Sequence, residues 1–184
     1  KKFGTFTAND SINLSVKCGE VHTLLGENGA GKSTLMNILF GLYQPTTGQI
    51  FIKEKEVKIW SPAIATNLGI GMVHQHFMLI EAMTVFENII LGTFKDKSIL
   101  INKKVLKKEL MDLSERYCLD IGLENRITEI SVGEQQRVEI LKALYRGAEI
   151  LILDEPTAVL TDEEASGLFD IIKKLISEKK SVIF

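Results

Sequence analysis

"LLGENGAGKST", residues 24–34, is the stretch that decides the fold. Gly26, Gly31, Lys32 and Ser33 fall into the pattern G-x-x-x-x-G-K-[ST]. A short apolar run, Val21 to Leu25, reads as a buried strand leading into the glycines. Lys32 to Phe40 reads as a helix leaving them, with Leu35, Ile38 and Leu39 on its apolar face and Gly41 as its stop. Glycines let a backbone wrap closely enough for several N–H groups to point at phosphate oxygens. The helix start adds a positive dipole end. Lys32 supplies a point charge for the outer phosphates, and Ser33 a hydroxyl for Mg²⁺. Gly26, Glu27, Asn28, Gly29, Ala30, Gly31, Lys32, Ser33 and Thr34 are therefore the expected nucleotide-binding set.

Working outward, "ILILDEP", residues 150–156, fits the second half of such a site. Asp154, at the carboxyl end of an apolar strand, can hold the Mg²⁺ directly or through water. Glu155 follows and can polarise an attacking water. A guanine reader of the type N-K-x-D is not met, because "NKKV" at 102–105 lacks the aspartate. The arginine-rich lid of a small-molecule kinase is equally hard to build from four arginines.

The remaining pattern alternates strands with helices. Ile12, Leu14 and Val16 share one face of a period-two segment. Gly19-Glu20 and "QPTTG" are turns, and "QIFIK" a strand. Ser61 and Pro62 signal a helix start, and Gly69 its end. "IGMVHQ" reads as a buried strand. Helical periodicity then dominates residues 82–128, through Val105, Leu106, Leu110, Leu113 and Tyr117. Thr161 and Glu164 form a capping box before a helix that turns Leu168, Ile171, Ile172 and Leu175 inward, and "SVIF" begins another strand. Such alternation implies an α/β fold with a mostly parallel sheet covered on both faces, and a helical insertion between its halves. The last strand, ending at Phe184, makes the chain read as cut short.

Composition restricts function without naming it. The chain has 184 residues, 45% apolar and 25% charged, with a net charge of −2. Nothing in that balance points to nucleic acid. No apolar run approaches the roughly 18 residues of a membrane span, and no leader is visible. Cys18 and Cys118 lack metal spacing and read as reduced thiols. Six lysines between residues 95 and 108 stand against Asp96, and without interleaved aromatics they read as a solvated helix face.

A second helix start, "ISVGEQQRVEILKAL" at 130–144, identifies the company these motifs keep. The chain resembles the nucleotide-binding domain of an ATP-binding-cassette (ABC) ATPase, whose signature LSGGQ precedes a helix containing glutamine and arginine. Here Ile130, Val132 and Glu134 replace the family's leucine, first glycine and glutamine, while Ser131 and Gly133 remain. Gln75 in "MVHQHF" matches the Q-loop glutamine, and 158–161 loosely the D-loop. Phe3 stands where the family places the aromatic ring that stacks on adenine. The resemblance covers essentially the whole chain.

It implies a P-loop NTPase core with an antiparallel β region at the amino end and a helical subdomain. The core lobes would span about 1–77 and 146–184, and the subdomain about 78–145. It implies ATP and Mg²⁺ as ligands, with Glu155 and Gln75 catalytic and Ser33, Gln75 and Asp154 at the metal. Two cassettes would sandwich ATP head to tail, so that Ser131, Gly133 and Glu134 lid the nucleotide of a neighbour. Residues 131–134 also read as a simple capping box, Ser131 with Glu134, and both can hold. The switch histidine would follow "SVIF", so this stretch alone should bind ATP better than it hydrolyses it.

"MVHQHFML", "GENGAGKSTLMNILFGLYQPTTG" and "DEPTAVLT" resemble the ATP-binding subunits of bacterial simple-sugar and nucleoside importers. Those subunits usually carry two cassettes in tandem, and the resemblance implies that this is the first. The implied partners are a second cassette and a transmembrane permease, with no nucleic acid and no membrane insertion, at the cytoplasmic face of the membrane. The alternative is a non-transport cassette acting on ribosomes or DNA. His74 and His76 would share a face in a strand, without a third metal ligand, and fit a groove for a membrane partner. His22 reads as locally satisfied and Trp60 as packing.

Overall fold

Parallel strand pairing organises the molecule. The structure, a computed structural model, describes residues 1–93 and 102–184. In chain order the elements are β1 (Lys2–Phe3), β2 (Phe6–Thr7), β3 (Val21–His22), α1 (Lys32–Leu39), β4 (Ile50–Ile52), β5 (Lys55–Val57), α2 (Pro62–Asn67) and β6 (Ile70–Val73). Then come α3 (Val85–Ile90), α4 (Lys103–Arg116), a 3₁₀ turn (Ile127–Glu129), α5 (Val132–Tyr145), β7 (Ile150–Leu153), α6 (Asp162–Ser177) and β8 (Ser181–Ile183). β3, β8, β7 and β6 form the four-stranded sheet in that order. All three pairings are parallel, with Val21 opposite Val182, Leu151 opposite Val182 and Met72 opposite Ile152. β1–β2 and β4–β5 are separate antiparallel hairpins.

β8, β7 and β6 are nearly continuous apolar runs because helices cover them, and all their residues but Ile150 are buried. α6 supplies Leu168, Ile171, Ile172 and Leu175 to the core, and the Thr161 cap forms as read. α5 is buried on nearly every side: Val138, Ile140, Leu141 and Leu144 join the core together with Gly133, Gln136 and Glu139. Gly71 lets α5 approach the sheet, since a Cβ there would sit 2.8 Å from the Ala143 Cβ.

Three expectations are corrected. Residues 12–16 form no strand, and Ile12 is 54% exposed. Alternation sorts side chains between faces, but a strand also needs a neighbouring backbone to pair with, and these residues meet none among the described ones. Val21 to Leu25 is an edge rather than a buried strand. Regular pairing stops at His22, one further bond from the Leu24 N–H to Phe184 O continues it, and Leu25 is 90% exposed. Trp60 is 61% exposed, while its neighbour Ile59 makes the core contact. Of the lysine-rich stretch, residues 94–101 lie outside the described residues; Lys103 to Lys108 lie on α4.

Candidate functional site

The start of α1 is bare. Its N-cap is Gly31, at φ +90°, with no side-chain cap and no acidic residue in the first turn. A Cβ on Gly31 would lie 2.4 Å from Ala8 O and 2.8 Å from Asn9 Nδ2, so glycine is needed for both conformation and space. The N–H groups of Lys32, Ser33 and Thr34 belong to the first turn and have no intrahelical acceptor. Lys32 folds over the loop, its Nζ donating to Gly26 O at 2.5 Å and Glu27 O at 3.0 Å. Ala30 N–H closes the turn on Glu27 O at 3.1 Å. Gly29, at φ +83°, faces open space. Glycines, first-turn amides and a lysine charge converge here, and the first turn of α1 holds no acid, which is what a phosphate chain requires.

The strand β7 delivers the two acids. Ser33 Oγ donates to Asp154 Oδ1 at 3.1 Å, across 121 residues of sequence. These neutral and anionic oxygens form a hard donor pair suited to Mg²⁺. Glu155 adopts φ +48°, a left-handed conformation that disfavours side chains by about 1–2 kcal/mol and that concentrates at functional positions. Gln75, in the loop after β6, donates from Nε2 to Glu155 Oε2 at 3.0 Å. Gln75 is thus tied to the carboxylate expected to orient water, and not to the Ser33–Asp154 pair. His74 and His76 lie beyond the end of β6, so the shared strand face expected for them does not exist; His74 packs edge-on to Phe40 at 5.9 Å.

Phe3 lies on the β1–β2 hairpin, 42% exposed, with Tyr43 edge-on at 5.4 Å and the Lys1 ammonium 4.8 Å from its ring centre. Asn9 joins this hairpin to the phosphate loop: it accepts from the Lys1 amino group at 2.7 Å and donates from Nδ2 to Gly31 O at 3.0 Å. Neither Tyr43 nor Asn9 carries a local sequence signal, because each acts through a contact distant in sequence.

The start of α5 is arranged differently. Ser131 Oγ accepts from Glu134 N–H at 3.2 Å, and Glu134 Oε2 accepts from Ser131 N–H at 2.7 Å, a complete capping box. Ser131 Oγ also donates to Glu164 Oε1 at 2.9 Å, and Gly133 N–H reaches the same oxygen at 3.2 Å. Glu164 is held below the usual carboxylate range, first by the Thr161 N–H and then by the Ser131 hydroxyl. Buried Gln136 ties α5 to the segment after Glu155, donating to Pro156 O at 2.8 Å. The sequence assigned Glu164 only a cap, and placed Gln136 in the helix after the signature without its bond to Pro156.

Fold and site together define a phosphate-loop nucleotide-binding protein of the α/β class. Residues 9–158 match the ABC transporter family, and the chain belongs to that family. It is 61% identical over 183 residues to the nucleoside import ATP-binding protein NupA of Lactococcus lactis subsp. cremoris. It is 59% identical over 183 residues to the guanosine import ATP-binding protein NupO of Bacillus subtilis. Each alignment covers 100% of this chain and 36% of the relative, so the chain spans about a third of their length. Among solved structures, the ADP conformation of MJ1267, an ATP-binding cassette of an ABC transporter, superposes with a TM-score of 0.86 at 28% identity. That match covers 100% of this chain and 76% of the other.

Proposed function

We propose that this chain is an ATP-binding and ATP-hydrolysing cassette that powers a membrane importer, with a nucleoside as the first candidate cargo and a simple sugar as the second. The observation that carries the reading is the Ser33–Asp154 contact at 3.1 Å beside the bare start of α1. It joins a phosphate cradle to a hard-cation donor pair. The nucleoside choice rests on the import functions in the names of NupA and NupO.

In this reading Lys32 exchanges its two carbonyl acceptors for outer phosphate oxygens, and the α1 amides hold the rest of the phosphate chain. Mg²⁺ held by Ser33 and Asp154, when bound, neutralises phosphate charge. Gln75 holds Glu155, and Glu155 orients water and takes its proton. Phe3 offers a ring face to adenine. A second cassette supplies the lidding turn, and this chain's Ser131, Gly133 and Glu134 serve the neighbour. The permease docks near the loop bearing Gln75, at the cytoplasmic face of the membrane. Among the described residues no helix is long and apolar enough to cross a membrane.

The test uses the full-length protein with labelled ATP and Mg²⁺. Lys32→Ala is expected to abolish binding at this cassette's phosphate loop and to leave the second cassette's site intact. Glu155→Gln is expected to bind ATP but hydrolyse it about 100-fold or more slowly. Unchanged ATP binding by Lys32→Ala would refute the reading.

A further inference from the structure

The turn that should lid a neighbour's nucleotide is already filled from within the chain. Two donors converge on one oxygen: the Ser131 hydroxyl at 2.9 Å and the Gly133 N–H at 3.2 Å both meet Glu164 Oε1. The other oxygen of Glu164 accepts from Thr161 N–H at 3.1 Å and Thr161 Oγ at 3.3 Å. The approach is close. A Cβ on Gly133 would stand 2.6 Å from Oε1, so an alanine would push the carboxylate away. Glu134, the other acid at this helix start, is engaged on Ser131 N–H. A hydroxyl and a helix-start amide aimed at one anionic oxygen form the arrangement that takes a phosphate oxygen.

We propose that Glu164 is an internal stand-in for the γ-phosphate, a latch that occupies the lidding turn while cassettes are apart and must swing out before the turn can cap a neighbour's nucleotide. This rests on the paired-cassette reading above. The two donors each have one hydrogen, and both point at Glu164. A phosphate arriving at them would also meet a carboxylate at contact distance, and like charges there repel. The two anions therefore exchange rather than share. The exchange is local, because Thr161 can keep its hold on Oε2 while Oε1 rotates away. It also discriminates: ATP brings the displacing anion, and ADP, lacking the γ-phosphate, leaves the latch shut.

The test is the release of bound nucleotide from the full-length protein with Mg²⁺, chased with unlabelled nucleotide. The probes are a labelled γ-imido analogue of ATP, which is not hydrolysed, and labelled ADP. Glu164→Gln keeps the size and the cap but removes the competing charge. It should slow release of the analogue about tenfold and leave ADP release within about twofold. Glu164→Asp retains charge but is one methylene short of Ser131 and should act in the same direction, so it decides the matter if the glutamine variant folds poorly. In a Ser131→Ala background, Glu164→Gln should change release less than twofold. Release of the analogue from both Glu164 variants at the parent rate or faster overturns the latch while leaving paired closure intact. A parent that releases analogue and ADP equally fast overturns paired closure, and the latch with it.

Discussion

The starts of α1 and α5 are two uses of the same physics. Both present backbone N–H groups and a positive dipole end beside a serine. At α1 no acid stands in the first turn, Gly31 caps without a side chain, and Lys32 adds positive charge. At α5 Ser131 and Glu134 close a capping box, and Glu164 takes the Ser131 hydroxyl and the Gly133 N–H. The first is an open anion site, ready for an external phosphate. The second is a satisfied one that can accept a phosphate only by exchange. A helix start is thus not a binding site in itself, and the acids around it decide whether it receives, and from whom.

Substitutions can break this contrast, beginning with the charge that only α1 possesses. Lys32→Ala should raise the dissociation constant for ATP at least about 100-fold, since charge-assisted bonds contribute about 1.5–3 kcal/mol each; equilibrium binding measures it. The next effect separates the two glycines. Gly31→Ala forces a left-handed alanine against Ala8 O and should destabilise the protein by about 2 kcal/mol or more in urea unfolding. Gly133→Ala meets the flexible side chain of Glu164 first and should change stability by less than about 1 kcal/mol. Ser131→Ala removes a helix cap and should reduce stability by about 1 kcal/mol.

The smallest effect is in pH. Glu164 titrates below the ordinary glutamate range because its folded carboxylate accepts from Thr161 and Ser131. Its stabilisation is therefore complete above the unfolded-state value and is lost as pH falls through the lowered folded value. The difference in melting temperature between the parent and Glu164→Gln should be constant near neutrality and shrink below about pH 4.

Motifs that are contiguous in the chain were legible, and contacts across it were not. The loop from Gly26 to Ser33, the buried runs Ile70–Val73 and Ile150–Leu153, and the caps at Ser61, Ser131 and Thr161 each depend on neighbours within a few residues, so their patterns survive in the sequence. The Ser33–Asp154 pairing was reachable because two motifs each named one partner. The bond from Ser131 to Glu164 spans 33 positions, and no pattern links them; Glu164 was already explained as a cap, which concealed its second bond. Alternation at Ile12, Leu14 and Val16 misled because apolar periodicity records sidedness and not backbone pairing. The β4–β5 hairpin was half seen: Lys55–Val57 is too short and polar to announce itself.

The most direct measurement is a structure of the full-length protein, closed on Mg²⁺ and the γ-imido ATP analogue. The account predicts phosphates on the α1 amides and Lys32, Ser131 Oγ and Gly133 N within hydrogen-bond reach of a γ-phosphate held by the neighbouring cassette, and Glu164 turned away from both. A fully closed pair with Glu164 still on Ser131, or with the phosphates lodged away from α1, would contradict it.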